Sequence, residues 1–157
     1  MFTLLYSRLR FLVFSLDVEP THIASARAAA WWAFLLLMPY HLFRTNEAFR
    51  GLAHVAPEWV WGVILLPLAG LHTLCLVCER PALHVLTLSF GVFVWGFVAA
   101  FLAQVSTHMP FFGLPWIAVN TGVAVYGGKA ADCGRGMLRA GTYLVADLST
   151  WWGRRHG

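Results

Sequence analysis

Charge is scarce in this sequence. Only 11% of its 157 residues are Asp, Glu, Lys or Arg, whereas about a quarter of an average soluble chain is charged. Hydrophobic residues make up 59% of the chain, and the mean hydropathy is +0.67. A soluble domain of this size needs more charge to cover its surface. The composition therefore excludes a disordered chain, a nucleic-acid-binding domain and most soluble enzymes, and it leaves an integral membrane protein.

Cysteine is also sparse, with Cys75, Cys78 and Cys133 as its only instances. An odd, sparse set is no disulfide framework. Cys75 and Cys78 form a C-x-x-C, but they close a predicted helix at its C-terminus, where the helix dipole disfavours a thiolate. We interpret them as small buried hydrophobic residues rather than as a redox pair.

The sequence contains no catalytic signature and no metal-ligand spacing such as H-x-x-x-H. A haem bound by two histidines needs both imidazoles at equal depth on facing helices. His84 lies at the end of its predicted span, and His72 lies about 9 Å from the end of its own by helical rise. We therefore expect a protein that is not an enzyme, with no catalytic residue, no metal and no cofactor.

Four apolar blocks give the predicted architecture, at residues 24–43, 59–78, 82–104 and 109–126. Each is roughly 18–23 residues long and reaches about 27–35 Å as a helix, the thickness of the hydrocarbon core. The loops between them are short, which makes consecutive helices antiparallel neighbours. The predicted fold class is all-α, an integral membrane four-helix bundle.

Basic residues are distributed unevenly between the two sides of this bundle. Nine lie in the N-terminal segment, the 79–81 turn and the C-terminal tail, and two lie in the loop between the first two spans. The positive-inside rule then places both termini in the cytoplasm of a bacterium, with the chain crossing the inner membrane several times. We divide the chain into an N-terminal interfacial segment (1–23), the four-helix bundle (24–128) and a basic cytoplasmic or interfacial tail (129–157), with amphipathic interfacial helices at the termini.

Polar residues inside a span are costly, which makes them functional candidates. The predicted pore-lining or inter-helix polar residues are Asn120, Thr121, His72 and Gln104. For Asn120 the plainer interpretation is a hydrogen bond to a neighbouring helix, worth about 1 kcal/mol or less.

Small residues recur at a spacing of four, which lets helix backbones approach closely. The predicted packing positions are Ala26, Ala30, Gly96, Ala100, Ala118 and Gly122. Tryptophan and arginine suit the headgroup region. The predicted interface anchors are Trp31, Trp32, Trp59, Trp61, Trp116, Trp151 and Trp152, and the basic residues of the tail are Lys129, Arg135, Arg139, Arg154 and Arg155.

The second span opens with APEWVWG (56–62), the third contains VWGFVAAF (94–101), and a short, tight hairpin leads into the fourth. With these features the chain resembles, over residues 24–128, the small four-span membrane proteins of tailed phages and prophages that are described as holin-like. The resemblance implies a homo-oligomer in the host inner membrane and supplies no catalytic residues. It implies lysis of the cell, or defence against other phages by an effector that a phage component opens.

We therefore expect a non-enzymatic protein that homo-oligomerises and permeabilises a bacterial inner membrane. Its expected partners are the lipid bilayer, further copies of itself, and a phage structural protein or another membrane subunit, with no nucleic acid. One alternative is a structural or anchoring subunit of a larger membrane complex. A third is a membrane redox protein with haem or a thiol pair.

Overall fold

The chain is helical throughout the part that the structure, a computed structural model, describes: residues 2–39, 42–45, 49–78, 80–107 and 114–156, with side chains in the first helix from residue 18 onward. These ranges contain no strand. The helices are α1 (Phe2–Leu37), α2 (Leu42–Thr45), α3 (Arg50–Val55), α4 (Glu58–Val77), α5 (Pro81–Thr107) and α6 (Leu114–His156). The all-α class predicted from the sequence is confirmed.

Helices α4 and α5 begin where their sequence favours a helix start. Pro57 is extended and precedes α4, and Glu58 places a carboxylate in its first turn, where the helix dipole stabilises negative charge. The Glu58 carboxylate also accepts a hydrogen bond from the backbone of Leu42 at 2.7 Å. Proline suits the first position of a helix because its ring already has helical φ and its missing N–H is not needed there, and Pro81 opens α5.

These two helices are long and apolar enough to cross a membrane, with mean hydropathies of 2.1 and 2.2 over 18 residues. They match the predicted second and third spans within three residues at each end. Only 33% and 39% of those stretches are buried inside the chain. Large apolar side chains therefore face outward, among them Leu86 at 64% exposure and Phe93 at 69%.

The two outer helices are longer than the spans predicted in them. Helix α1 continues without a break through residue 23, where we drew the boundary between the interfacial segment and the first span. Helix α6 likewise continues through Gly127 and Gly128 into the predicted tail. Residues 109–113 of the predicted fourth span lie outside the described residues.

Four long helices, α1, α4, α5 and α6, share one hydrophobic core. Helix α1 packs chiefly against α4, and α5 packs chiefly against α6. Glycines let α5 and α6 approach closely, because a Cβ on Gly122 would lie 3.0 Å from Leu102 and one on Gly136 would lie 3.2 Å from Leu88. The pairing of high numbers in one helix with low numbers in the other makes α5 and α6 antiparallel.

Candidate functional site

The buried face of α1 brings a histidine into the core. The side chains of this face recur every three or four residues, the spacing of one helix face: Val18, His22, Ser25, Ala29, Ala33 and Leu36. His22 is completely buried there, although it lies in the segment predicted to rest on the membrane surface.

His22 lies between two further buried histidines. Its Nδ1 is 2.8 Å from Nδ1 of His72 on α4, and its Nε2 is 2.9 Å from Nδ1 of His84 on α5. The Nε2 of His84 is 3.0 Å from the backbone carbonyl of Cys78, just after α4. The three histidines and this carbonyl therefore form a continuous hydrogen-bonded line, which we call the histidine line.

The carbonyl of Cys78 sets the direction of the histidine line when all three rings are neutral. A carbonyl only accepts, so His84 donates from Nε2 and its Nδ1 accepts. His22 must then donate from Nε2 to His84 and accept at Nδ1, and His72 must donate to it from Nδ1. The line ends at Nε2 of His72, which then carries a free lone pair. That nitrogen is buried and has no hydrogen-bond partner among the described residues.

Two cysteines flank the histidine line. Cys75, one helical turn after His72, is buried, and its thiol donates to the hydroxyl of Thr87 at 3.3 Å. Ligand atoms of His22, Cys75 and His84 lie within 4.8 Å of one another.

Cys133 on α6 is also buried, and it lies 3.5 Å from the Ser25 hydroxyl. A Cβ on Gly91 would lie 2.9 Å from the Cys133 sulfur and 3.3 Å from Nε2 of His72. Glycine at this position therefore makes room for both groups.

Aromatic side chains fill the core one helical turn beyond Gly91. Trp95 is buried, stacks on Tyr126 with a centroid separation of 5.6 Å, and leaves its indole N–H without a partner in the described part of the chain. Trp32 donates a hydrogen bond to the Tyr126 hydroxyl. These contacts tie α1, α5 and α6 together at the level of Trp95.

Charged side chains lie on the outside of the same region. The Lys129 ammonium is 6.0 Å from the Trp95 ring centre and donates to the carbonyl of Ala24 at 3.3 Å. Lys129 and Arg27 both line a groove of about 800 Å³ between α1 and α6. On α6, Asp132 and Arg135 form an exposed ion pair.

This charge lies at the level of the apolar helix α5. Gly96 faces Ala130 across the α5–α6 contact, Gly91 faces Cys133, and Leu88 faces Gly136. Asp132 and Arg135 therefore lie beside residues 88–96, about 10–22 Å along α5 from its start. One face of α6 carries exposed residues at spacings of four and three: Thr121, Val125, Gly128, Asp132, Arg135 and Arg139. We call this set the charged face.

The predicted polar candidates fall into three environments. Asn120 exchanges two hydrogen bonds with Ser106 on α5, at 2.8 and 3.1 Å. Thr121 and Gln104 are exposed. His72 alone is part of the histidine line.

Of the six predicted packing positions, three lie at contacts inside the bundle and three are exposed. Ala26 is buried, Gly96 and Gly122 face α6 and α5 respectively, and three are exposed: Ala30, Ala100 and Ala118.

The predicted anchors lie mostly on the surface, since Trp31, Trp59, Trp151 and Trp152 are exposed. Trp61 instead stacks on Phe97 at 5.5 Å and donates to the carbonyl of Leu52. The side chains of Trp116, Arg154 and Arg155 lie outside the described residues.

Sequence reasoning missed His22 and treated His72 and His84 as a possible pair. They do not pair directly, because His22 stands between them and bridges their difference in depth. The signal was the three-and-four spacing of the α1 face, which continues from Leu36 back to Val18.

Comparison of the sequence with family models, and of the chain with curated proteins and solved structures, finds no match. A fold alone would not assign a function, so the chemistry of the histidine line and of the charged face must carry one.

Proposed function

We propose that this chain is a non-enzymatic protein of a bacterial inner membrane that crosses the bilayer four times, with both termini in the cytoplasm, and permeabilises it as a homo-oligomer. The observation that carries the proposal is the charged face of α6 at the level of the apolar helix α5. The proposal accords with the resemblance to holin-like proteins of phages and prophages.

The outer surface of α4 and α5 suits contact with lipid. Leu86 and Phe93 are among its most exposed side chains, and apolar side chains of this size are stable in the hydrocarbon core. A contiguous exposed apolar surface in water would instead favour aggregation.

The charged face does not suit contact with lipid. A charged side chain at the bilayer centre costs about 2.5–3.5 kcal/mol on insertion scales. The pairing of Asp132 with Arg135 reduces that cost without removing it, and Arg139 lies on the same face one turn further along. Such a face is stable when it borders water or polar groups of another chain.

Several copies arranged with their charged faces toward a common axis satisfy both surfaces. The α4–α5 side of each copy then meets lipid, and the α6 side borders an aqueous path. Thr121 belongs to the lining of this path, whereas Asn120 is committed to Ser106. Arg135 and Arg139 outnumber Asp132, so the path favours anions.

The first test is expression of the intact chain alone in a bacterial culture, with membrane potential and dye entry followed after induction. We expect abrupt depolarisation. Cells that stay polarised while the protein is in the membrane would contradict a self-sufficient pore. They would favour the anchoring subunit, in which the charged face meets a different chain.

The second test is chloride against potassium permeability of liposomes containing the purified protein. Arg135→Gln should lower the preference for chloride. Arg80→Gln is the control, because Arg80 is also exposed but lies in the α4–α5 turn. An equal effect of both variants would contradict a lining role for the charged face.

A further inference from the structure

We propose that His22, His84 and Cys75 bind a monovalent copper ion between α1, α4 and α5. These three residues offer ligand atoms that lie within 4.8 Å of one another, and all three are buried. A three-coordinate ion with bonds of about 2.0 Å to nitrogen and 2.3 Å to sulfur holds its ligand atoms about 3.5 Å apart. Only small side-chain shifts separate the present geometry from that arrangement.

The groups around the three ligands are those that a metal site requires. A histidine that binds a metal almost always donates its other ring N–H to a carbonyl or another acceptor, which fixes its orientation. With Nδ1 of His84 on the metal, its Nε2 donates to the Cys78 carbonyl at 3.0 Å. With Nε2 of His22 on the metal, its Nδ1 donates to Nδ1 of His72 at 2.8 Å. The Thr87 hydroxyl, 3.3 Å from the Cys75 sulfur, can donate to the thiolate.

The far end of the histidine line leaves its direction free to reverse when the metal binds. In the neutral line Nε2 of His72 is buried and has no hydrogen-bond partner among the described residues. Binding of the metal reverses the tautomers: the proton of His22 moves from Nε2 to Nδ1, and the proton of His72 moves from Nδ1 to Nε2. Because Nε2 of His72 makes no hydrogen bond in the described part of the chain, this reversal breaks none there.

Charge decides which metal fits. Thiolate and imidazole ligands select copper or zinc. The ligand set supplies one negative charge, the thiolate, so Cu⁺ forms a neutral complex and Zn²⁺ leaves a net positive charge. A buried net charge is strongly unfavourable in an apolar interior. The site therefore favours Cu⁺.

The binding step releases one proton. The Cys75 S–H bond breaks, the sulfur–copper bond forms with the sulfur's electron pair, and the thiol proton leaves to solvent. His22 and His72 each keep one proton, and no electron is transferred because copper enters and remains as Cu⁺.

The test uses the full chain in detergent under ascorbate, titrated with Cu⁺ against a coloured Cu⁺ chelator. We expect one Cu⁺ per chain, tighter binding of Cu⁺ than of Zn²⁺, and one proton released per ion. Absence of Cu⁺ binding, a preference for Zn²⁺, or no released proton would overturn the proposal. This titration is independent of membrane permeability, so the proposed pore can fail while the copper site stands.

Two residues of α4 provide a pair of variants. Cys75→Ser should weaken Cu⁺ binding by at least about a hundredfold, whereas Thr73→Ser, at an exposed position two residues away, should leave it unchanged. Thr87→Val replaces only the hydroxyl beside the sulfur and should cost about tenfold, as other groups that support metal ligands do. Equal affinities of the Cys75→Ser and Thr73→Ser variants would contradict the assignment.

Helix content and elution volume report whether each variant is folded. X-ray absorption at the copper edge of the unaltered protein gives a readout that needs no variant. We expect one sulfur and two nitrogen ligands, and a spectrum without sulfur would overturn the proposal.

Discussion

The α4–α5 side and the α1–α6 side of this molecule expose different kinds of side chain. Helices α4 and α5 form a hairpin with a three-residue connection, and large apolar side chains are exposed along its outer surface. Helices α1 and α6 are longer and border a groove with Arg27 and Lys129. The exposed side chains therefore differ in kind between the two sides of one bundle. On the α4–α5 side they are apolar and suit contact with lipid, whereas on the α1–α6 side they are charged and suit contact with water or with another chain.

The largest effect is expected from a charge placed on the α4–α5 side. Phe93 and Ala131 are both exposed, but only Ala131 lies on the charged side of α6. Phe93→Asp should prevent stable insertion, because a carboxylate in mid-bilayer costs about 2.5–3.5 kcal/mol. Ala131→Asp should be tolerated. The amount of each variant in the membrane fraction measures this, and equal amounts would show that the two sides do not differ.

A smaller effect is expected at the seam where the two sides meet. Gly91→Ala places a methyl group 2.9 Å from the Cys133 sulfur, and overpacking of this kind typically costs about 1–3 kcal/mol. Unfolding of the purified protein by a denaturing detergent measures the loss.

Gly70→Ala is the control for that variant, since a Cβ at Gly70 meets nothing within 4 Å. Alanine favours a helix over glycine by about 1 kcal/mol, so this control should be neutral or stabilising. A destabilised Gly70→Ala protein would mean that the loss at Gly91 is not specific to the seam.

The smallest effect is expected from the hydrogen-bonded pair of Ser106 and Asn120. Asn120→Leu should lower the free energy of unfolding by about 0.6 kcal/mol, the average for such pairs in membrane proteins, and should leave conductance unchanged. A double-mutant cycle with Ser106→Ala isolates the pair. Thr121→Val should change conductance without affecting that cycle, and the opposite pattern would place Asn120 in the path instead.

The α4–α5 hairpin was predictable because its two helical segments are apolar throughout. Residues 59–78 and 82–104 are continuous apolar runs, and the helices found there begin at Glu58 and Pro81. A run of this kind must form a helix wherever water is absent, because nothing else satisfies its backbone. Contacts with the other helices are therefore not needed to explain why these two segments are helical.

The outer helices were less predictable because their sequence mixes signals. Gly127, Gly128 and Lys129 end the apolar run of the fourth span, yet the helix continues because its next turns pack on α5 through small residues such as Ala130 and Cys133. The hydropathy of a segment measures its preference for lipid, and it does not show which residues pack against a neighbouring helix. His22 was hidden for the same reason, since its burial depends on α4 and α5 rather than on its neighbours in sequence.

The length of α6 has a mechanical consequence. A helix of 43 residues is about 65 Å long, roughly twice the thickness of the hydrocarbon core. Its first half is anchored along α5, and its second half ends with the exposed pair Trp151 and Trp152. No loop separates the two halves, so a molecule that binds the far end would tilt the whole helix about its contact with α5. Such a tilt would move the charged face and Cys133 relative to α5 without any change in secondary structure.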